Sequence, residues 1–286
     1  MSTTSLPVEQ ISDTAFLTAL YRAMEGERSD AHFQDTYARI LAGERGEQLG
    51  QLILDVKSVA LGCAVRTCVF DELILQVVKN YSIDIVFNLG SGFDTRPYRL
   101  PLPTSLSWIE SDLPIVLNYK ADKLGRVQPV CSLKSVPCNL TDAIARQKLW
   151  RNIKTTMKQG LVITEGLLVY LTSEQVAALA IDLYQQTKLR WWLCDMASPF
   201  ALQQMQKLLS ERPTGGAINM QFAPEYGVEF FRKYGWEPIE LRSYFEEAQR
   251  LNRGTLSEQL LSQLDPVQWQ ILRQMSSFVL LTHSDL

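Results

Sequence analysis

The chain has 286 residues, 46% of them hydrophobic, and a formal net charge of −3. This length and apolar content suffice to bury one sizeable core, and no linker rich in Gly, Ser or Pro separates two halves. A nucleic-acid partner is not expected, because binding to phosphate backbones requires a concentrated basic surface.

Export, membrane insertion and metal binding are also not predicted. Residues 1–9 are polar and lack a basic stretch followed by an apolar run, so no signal peptide is expected. No apolar stretch approaches the roughly 18 residues of a membrane span. The five cysteines form no C-x-x-C pair, and the chain has only two histidines, His32 and His283. This pattern predicts neither a disulfide framework nor a metal site, and it is typical of a reduced cytoplasmic protein.

The first quarter of the chain is predicted to be helical. Apolar residues recur at helical spacing from Val8 to about Ala42, and a further helical stretch runs from about Gly62 to Lys79. We expect residues 1–80 to form a helical cap that packs on a core of residues 81–286, the two making one structural unit.

Short apolar runs alternate with helices from residue 83 onward. The runs predicted to be strands lie at residues 83–89, 107–110, 160–165, 190–195, 236–241 and 277–282. Helices are expected to begin at Pro114 and at Thr172, where Thr172 and Gln175 have the spacing of a capping box. This alternation predicts an α/β fold with a doubly wound, mostly parallel sheet.

The first predicted strand ends in a glycine turn, N-L-G-S-G-F-D-T-R-P, at residues 88–97. Gly90 and Gly92 permit a tight turn and a close approach of the backbone to a ligand. A dinucleotide fingerprint would need a third glycine where Thr95 stands, and no phosphate-binding P-loop is present. A positively charged ligand without phosphate, such as S-adenosylmethionine, tolerates the nearby Asp94. The alternative is a purely structural turn.

Two further predicted strands end in carboxylates, at the sheet edge where ligands bind in open α/β folds. Glu110 and Asp112 follow the second strand, and either could accept hydrogen bonds from a ribose diol. Alternatively, the negative charge of Asp112 only stabilises the positive end of the helix dipole where the helix begins at Pro114. Glu165 ends an apolar strand, where a carboxylate needs a polar or positive partner, or it is the first acid of a helix.

These segments together resemble the leucine carboxyl methyltransferase family, in the bacterial branch that includes polyketide O-methyltransferases. The matching segments are Arg66-Thr67 with Asp71, the glycine turn extended to Leu100, E-S-D-L-P at 110–114, Lys120, and E-G-L-L-V-Y-L-T at 165–172. The resemblance covers roughly residues 15 to 200. It implies a Rossmann-like class I methyltransferase sheet of seven strands that ends in an antiparallel hairpin. It also implies S-adenosylmethionine as methyl donor and S-adenosylhomocysteine as product.

The resemblance further implies which residues bind the cofactor. Arg66 would hold the methionyl carboxylate, a task suited to a bidentate guanidinium. Gly90 and Gly92 would line the methionyl part, and Asp112 would take the ribose hydroxyls. The predicted cofactor set also contains Asn88, Asp94 and Glu110.

Glu165 and Tyr170 are the predicted catalytic residues. The resemblance places Glu165 close to the methionyl end of the cofactor and Tyr170 near the transferred methyl group. Asn139 and Leu140 would face the adenine, where the family commonly has Asp-Leu. An asparagine can still accept a hydrogen bond from the adenine amino group through its carbonyl oxygen.

The acceptor is expected to be a carboxylate of a small molecule, such as a polyketide or another secondary metabolite. A carboxylate is ionised at neutral pH and needs no base, whereas a phenol with a pKa near 10 gains from one. The chain offers few bases, because His32 lies in the N-terminal helical region and His283 almost at the end. The alternatives are a hydroxyl acceptor, a protein C-terminal carboxylate, a nicotinamide-dependent oxidoreductase, and a binding module without catalysis.

A lid over the site is expected from the helical first quarter and from the late segments around Gly215-Gly216 and residues 226–234. This late region is rich in aromatic residues, namely Phe222, Tyr226, Phe230, Phe231, Tyr234 and Trp236. They either line a pocket for a flat, apolar molecule or serve ordinary packing.

Overall fold

The computed structural model describes residues 12–53, 55–151, 158–210, 219–256 and 258–284. Residues 1–9, the predicted helix start at Val8 and the predicted lid glycines Gly215 and Gly216 lie outside these ranges. In the part of the chain that is described, no helix has the length and hydropathy needed to cross a membrane.

Three helices precede the sheet: α1 (Ser12–Gly26), α2 (Ala38–Gln51) and α3 (Val56–Asn80). The predicted helical region is confirmed, but its first stretch ends at Gly26 and resumes only at Ala38. The second predicted stretch, expected from about Gly62, corresponds to α3 and already begins at Val56. It begins there because Asp55 caps the helix by accepting a hydrogen bond from the Ser58 amide at 3.2 Å.

The core is a seven-stranded sheet, as predicted. Its strands are β1 (Ile85–Leu89), β2 (Ser107–Asp112), β3 (Ser132–Pro137), β4 (Gly160–Thr164), β5 (Leu189–Ala197), β6 (Trp236–Ser243) and β7 (Ser276–His283). They lie in the order β3-β2-β1-β4-β5-β7-β6. The pairs from β3 to β5 are parallel, whereas β7 is antiparallel to both β5 and β6. The predicted C-terminal antiparallel pair is therefore present.

The strand β3 was not among the runs predicted from periodicity. It is an edge strand whose register partner is β2, and only Leu133 and Val136 are half-buried while its other residues are exposed. Such a strand has no continuous apolar run, so the signal that marks the central strands is missing.

Helices cover both faces of the sheet. The remaining ones are α4 (Arg96–Arg99), α5 (Pro114–Leu124), α6 (Ala143–Arg151), α7 (Ser173–Tyr184), α8 (Pro199–Ser210), α9 (Tyr244–Arg250), α10 (Glu258–Leu261) and α11 (Pro266–Gln274). Two 3-10 helices span Leu168–Tyr170 and Gly227–Tyr234. The capping box predicted for α7 is confirmed: the Gln175 amide donates to Thr172 Oγ1 at 3.2 Å, and the Thr172 amide donates to Gln175 Oε1 at 2.8 Å.

Alternate residues of the strands fill two layers of core. On one face Val86 and Leu161 pack with residues of α3, including Leu73 and Val77. The opposite face packs strand residues such as Phe87, Val162 and Trp192 against α7. The long helix α3 is therefore part of the core, and its N-terminal half reaches the sheet edge where the strands end.

Candidate functional site

A cavity of about 540 Å³ lies at the carboxyl ends of the parallel strands. Residues at or just after the ends of β1, β2, β4 and β5 form the sheet side of the cavity wall. Residues of α1 and α3, which belong to the helical cap, form another part of the wall. The strand order reverses between β1 and β4, and ligands of open α/β sheets bind at such a switch point. The volume is in the range of small-molecule sites.

The glycine turn that follows β1 forms one wall of the cavity. Gly90 and Gly92 have φ angles of +68° and +51°, in the left-handed region that favours glycine. A Cβ on Gly90 would lie 2.9 Å from Leu167 Cδ1, so the close packing of Leu167 against the turn also requires glycine at this position. Ser91 lines the cavity between them, and its buried hydroxyl has no hydrogen-bond partner in the described structure.

Asp112 braces this turn and faces the cavity. Its carboxylate accepts hydrogen bonds from the amides of Gly92 and Leu113, both at 2.7 Å. Burial raises the pKa of Asp112, and these two amide bonds offset the effect only in part. The structure therefore places this carboxylate at the end of β2, beside the glycine turn, as the sequence predicted.

Glu110, the other acid considered for the ribose, does not line the cavity. Its side chain is buried, where it pairs with Lys120 and accepts a hydrogen bond from Ser135 Oγ at 2.6 Å. These contacts tie β2 to α5 and to β3. The inclusion of Glu110 in the cofactor set therefore disagrees with the structure, because its carboxylate is already satisfied by partners inside the fold.

Glu165, which follows β4, is held by two arginines. Arg66 Nε lies 3.0 Å from one carboxylate oxygen, and Arg96 Nη1 lies 2.6 Å from the other. Burial alone would raise the pKa of Glu165, but Arg96 and Arg66 outweigh it and keep the pKa below its usual value. Arg96 also pairs with Asp94 at 3.2 Å and with Asp71 at 2.6 Å.

Asn88 and Asp94 line the cavity but bond chiefly to each other and to Arg96. Asn88 Nδ2 donates to Asp94 Oδ2 at 2.6 Å, and the Arg96 amide donates to Asp94 Oδ1 at 2.9 Å. Burial would raise the pKa of Asp94, but the charges of Arg96 and Lys120 lower it. These two side chains therefore fix the shape of the turn.

Asn139 and Leu140 line the cavity where the adenine is expected. Leu140 is buried, whereas Asn139 is exposed. Asn139 Oδ1 accepts from the Thr141 amide at 3.1 Å and from Thr141 Oγ1 at 2.8 Å. Both lone pairs of this oxygen are thus engaged, so the expected bond from an adenine amino group would have to displace a Thr141 contact.

Tyr170 and Asp195 lie close to Arg66. Burial raises the pKa of Tyr170, which Arg66 opposes, so at neutral pH the phenol is protonated and donates hydrogen bonds. Asp195 accepts from the Gly166 amide at 2.7 Å and lies 3.5 Å from Arg66 Nη1. Burial raises the pKa of Asp195 in spite of Arg66.

The cavity is also lined by four residues for which the sequence predicted no role, namely Arg96, Asp195, Tyr244 and Phe278. Asp195 lies near the end of β5 just as Glu165 follows β4, so the same strand-end rule would have found it. Tyr244 begins α9 and Phe278 lies in β7, and no local pattern links these late residues to the glycine turn.

The aromatic residues of the late segment do not line the cavity. Phe222, Phe231 and Trp236 are buried in the core, and Phe231 and Trp236 contact Trp192 edge-to-face. Tyr226 is 77% exposed. The packing interpretation is therefore confirmed for these three core members, and none of the six aromatic residues lines the cavity.

Neither histidine is placed at the cavity. His32 Nε2 lies 2.6 Å from the Leu251 carbonyl oxygen, and His283 packs against Tyr184 and Trp236. Among the described residues that line the cavity there is no histidine and no lysine.

Solved structures with a similar fold include a DUF574 family protein and a methyltransferase. A DUF574 family protein of Streptomyces avermitilis MA-4680 has a TM-score of 0.58 at 11% identity, covering 93% of this chain and 96% of the other. The magnesium protoporphyrin IX methyltransferase of Synechocystis PCC 6803, solved with bound S-adenosylhomocysteine, has a TM-score of 0.50 at 12% identity, over 83% and 94%. At such identities the similarity shows the fold alone.

Two similar proteins carry names that assign them S-adenosyl-L-methionine-dependent methyltransferase activity provisionally. One, from Parafrankia sp. (strain EAN1pec), is 30% identical over 60% of this chain and 58% of its own length. The other, from Streptomyces coelicolor, is 26% identical over 78% of this chain and 82% of its own length. The chain thus spans less than two thirds of the Parafrankia relative.

The family model described as leucine carboxyl methyltransferase matches residues 15–183. The match contains all but the first three residues of α1, together with α3, the glycine turn, Asp112 and the segment from Glu165 to Tyr170. These parts form most of the cavity wall. The oxidoreductase alternative is therefore set aside, and the chain belongs to the leucine carboxyl methyltransferase family.

Proposed function

We propose that the protein is an S-adenosylmethionine-dependent O-methyltransferase that esterifies a carboxylate of a small molecule, such as a polyketide or another secondary metabolite. The observation that carries the proposal is the arrangement of Arg66, Glu165 and Tyr170 beside the glycine turn, in a cavity whose described walls contain no histidine or lysine.

The cavity fits S-adenosylmethionine, the methyl donor of the family. Asp112 would accept the ribose hydroxyls, and the glycine turn lets the backbone approach the methionyl part. Arg66 would pair with the methionyl carboxylate. The buried, unpartnered hydroxyl of Ser91 supports a polar ligand at this wall. Glu165 and Asp195 make the surroundings of Arg66 acidic, which suits a ligand with positive charges.

Bound S-adenosylmethionine would supply an electrophilic methyl group. A carboxylate oxygen would form the C–O bond as the C–S bond breaks, and the electron pair of the C–S bond would stay on sulfur. No proton leaves the acceptor in this step. Tyr170 would donate a hydrogen bond that orients the acceptor, because its phenol is protonated. Glu165 is a poor base, because two arginines hold its ionised form.

Asp195 supports a second candidate, methylation of a hydroxyl. Burial raises the pKa of its carboxyl, which suits it to take a proton from an alcohol or phenol. This candidate requires Asp195 as a base, whereas the carboxylate candidate requires none.

A cytoplasmic location is part of the proposal. All five cysteines lie in the described structure, where they are buried and unpaired. Free thiols are typical of proteins in reducing compartments.

Binding and labelling experiments test the proposal in sequence. Calorimetry should show micromolar binding of S-adenosylmethionine and S-adenosylhomocysteine, and none of NAD. Acids and phenols are then offered with methyl-labelled donor. Mild alkali releases the label as methanol from an ester but not from an aryl ether. Base-stable label would support the hydroxyl candidate, and no binding of either cofactor form would reject both candidates.

A further inference from the structure

Much of the cavity wall that α1, α3 and the late segments contribute is apolar, and we call this apolar part the acceptor chamber. It consists of Leu17, Tyr21, Val59, Cys63, Met205, Met220, Tyr244 and Phe278, and the polar Thr14, Thr18, Ser276 and Ser277 line the cavity from the same segments. Tyr244 and Phe278 lie outside the segment that the family model matches, residues 15–183. The chamber's chemistry is therefore a property of this chain's own late segments as well as of the family core.

The cations that line the described cavity are Arg22, Arg66 and Arg96. Arg22 is bound to Asp35 at 2.8 Å and to the Phe93 carbonyl oxygen at 2.7 Å. The side chain of Arg96 is 4% exposed and pairs with three carboxylates. Arg66, whose side chain is 24% exposed, is therefore the accessible cation of these three, and the proposed function assigns it to the methionyl carboxylate of the cofactor.

The remainder of the chamber offers no charged partner among the described residues. An ionised group buried there would be unpaired, which is strongly unfavourable in an apolar environment. An acceptor that fits this distribution has an apolar body and a single anionic group, held beside the Tyr170 and Tyr244 hydroxyls. The thioethers of Met205 and Met220 are flexible, and such side chains adapt to the outline of an apolar ligand.

Tyr244 supplies a hydrogen-bond donor close to Arg66. Its hydroxyl lies against Gly62 of α3, where an added Cβ would come within 3.0 Å of the oxygen. In the described structure this hydroxyl has no hydrogen-bond partner, and its ring contacts Phe278 at 6.2 Å between centroids. Burial raises the pKa of Tyr244, so the phenol is protonated at neutral pH. Because Tyr244 lines the cavity and its hydroxyl has no protein partner among the described residues, this group is available to donate a hydrogen bond to a bound ligand.

We propose that the acceptor chamber binds an apolar monocarboxylic acid and that the Tyr244 hydroxyl donates a hydrogen bond to the carboxylate that receives the methyl group. This inference rests on the proposed function, because it names the substrate class of the same site. Tyr170 and Tyr244 then flank the reacting carboxylate as two neutral donors.

The first test measures binding to the full chain saturated with S-adenosylhomocysteine, so turnover is not needed. The probes form two matched sets: octanoate, octanedioate and 1-octanol, and 2-naphthoate, naphthalene-2,6-dicarboxylate and 2-naphthol. At least one monocarboxylate should bind about a hundredfold more tightly than its dicarboxylate partner, because the second charge would be buried unpaired. It should also bind more tightly than the matched alcohol.

The second test uses Tyr244→Phe and Gly62→Ala. Tyr244→Phe should weaken monocarboxylate binding by about tenfold to a hundredfold, as expected for a hydrogen bond to a charged group. It should leave the affinities for S-adenosylhomocysteine and the matched alcohol unchanged. Gly62→Ala, which favours the helix, should weaken the acid in the same way by displacing the hydroxyl. Tyr226→Phe, at an exposed tyrosine outside the cavity, is the matched control.

The outcomes separate this inference from the proposed function. Absence of S-adenosylhomocysteine binding removes the proposed function itself. If the cofactor product binds, then equal binding of mono- and dicarboxylates, preference for an alcohol, or no binding of any probe overturns the inference and leaves the methyltransferase proposal standing. Unchanged acid affinity in Tyr244→Phe removes Tyr244 from the acceptor site.

Discussion

Arg66 stands between two carboxylates and faces the cavity, which makes it the residue whose replacement is most informative. Its guanidinium contacts Glu165 at 3.0 Å and Asp195 at 3.5 Å. Glu165 keeps Arg96 as a second partner, so the buried carboxylate would still be paired if Arg66 were removed. The residue can therefore be changed without leaving Glu165 uncompensated.

We predict that Arg66→Ala lowers the affinity for S-adenosylmethionine by about tenfold to a hundredfold, the value of a hydrogen bond between charged groups. Calorimetry measures the affinity, and thermal unfolding checks that the fold persists. Arg39→Ala is the control, because Arg39 is 41% exposed and pairs at the surface with Glu27. Parent-like binding in Arg66→Ala would remove Arg66 from the cofactor site.

The pKa of Asp112 predicts how cofactor binding depends on pH. Burial raises this pKa, so the carboxyl becomes protonated at a higher pH than an ordinary aspartate. The ionised form accepts ribose hydrogen bonds, so affinity is full above the raised pKa and is lost as the pH falls through it. S-adenosylhomocysteine titrations from neutral to acidic pH measure this loss. Asp112→Asn should bind S-adenosylhomocysteine weakly, and its affinity should depend less on pH. If the affinity of the parent protein did not change across the pH range, the assignment would be contradicted.

At the scale of elements, the turn between β1 and α4 depends on glycine in two ways. Gly90 has a left-handed φ of +68°, and a Cβ there would collide with Leu167 of the segment that follows β4. Gly227, at the start of a 3-10 helix, has a φ of +54° and open space around it. A comparison of the two positions therefore separates the cost of the left-handed backbone from the cost of the close contact with Leu167.

We predict that Gly90→Ala costs about 2–4 kcal/mol of unfolding free energy and weakens cofactor binding, whereas Gly227→Ala costs about 1–2 kcal/mol, the strain alone. Denaturant titration of both variants measures the difference. Equal costs would mean that Leu167 moves aside and that the close approach does not constrain the turn.

Across the whole molecule, the cap is joined to the late segments by a buried ion pair. Arg253, which follows α9, pairs with Glu25 near the end of α1 at 2.9 Å, and each side chain is 1% exposed. Burial would raise the pKa of Glu25, but the bond from Arg253 keeps it below its usual value. This stabilisation is present above the unfolded-state pKa and is lost as the pH falls through the lower folded-state pKa.

We predict that Arg253→Ala destabilises the fold by about 3–5 kcal/mol, because the buried Glu25 loses its close ionic partner and keeps, among the described residues, only Arg28 at 3.8 Å and the His32 amide at 2.9 Å. Arg250→Ala, which breaks a more exposed pair with Glu72, should cost only about 0–1 kcal/mol. Denaturant unfolding at neutral pH measures both, and at acidic pH the gap between them should narrow. Equal costs at neutral pH would show that the buried pair is replaceable.

The sequence by itself determined the features that rest on local patterns. The central strands are continuous apolar runs, the glycine turn has a fixed conformational need, and the capping box of α7 needs only the spacing of Thr172 and Gln175. Carboxylates at strand ends followed from the same reasoning, which is why Asp112 and Glu165 were found in advance.

The tertiary structure decided whatever depends on residues far apart in the chain. Glu110 and Asp112 are two residues apart, yet Lys120 and Ser135 capture only Glu110. The edge strand β3 has no apolar run and is recognised only by its pairing with β2. Tyr244 reaches the cavity because α9 packs beside α3, so its place depends on packing between segments that no spacing in the sequence encodes.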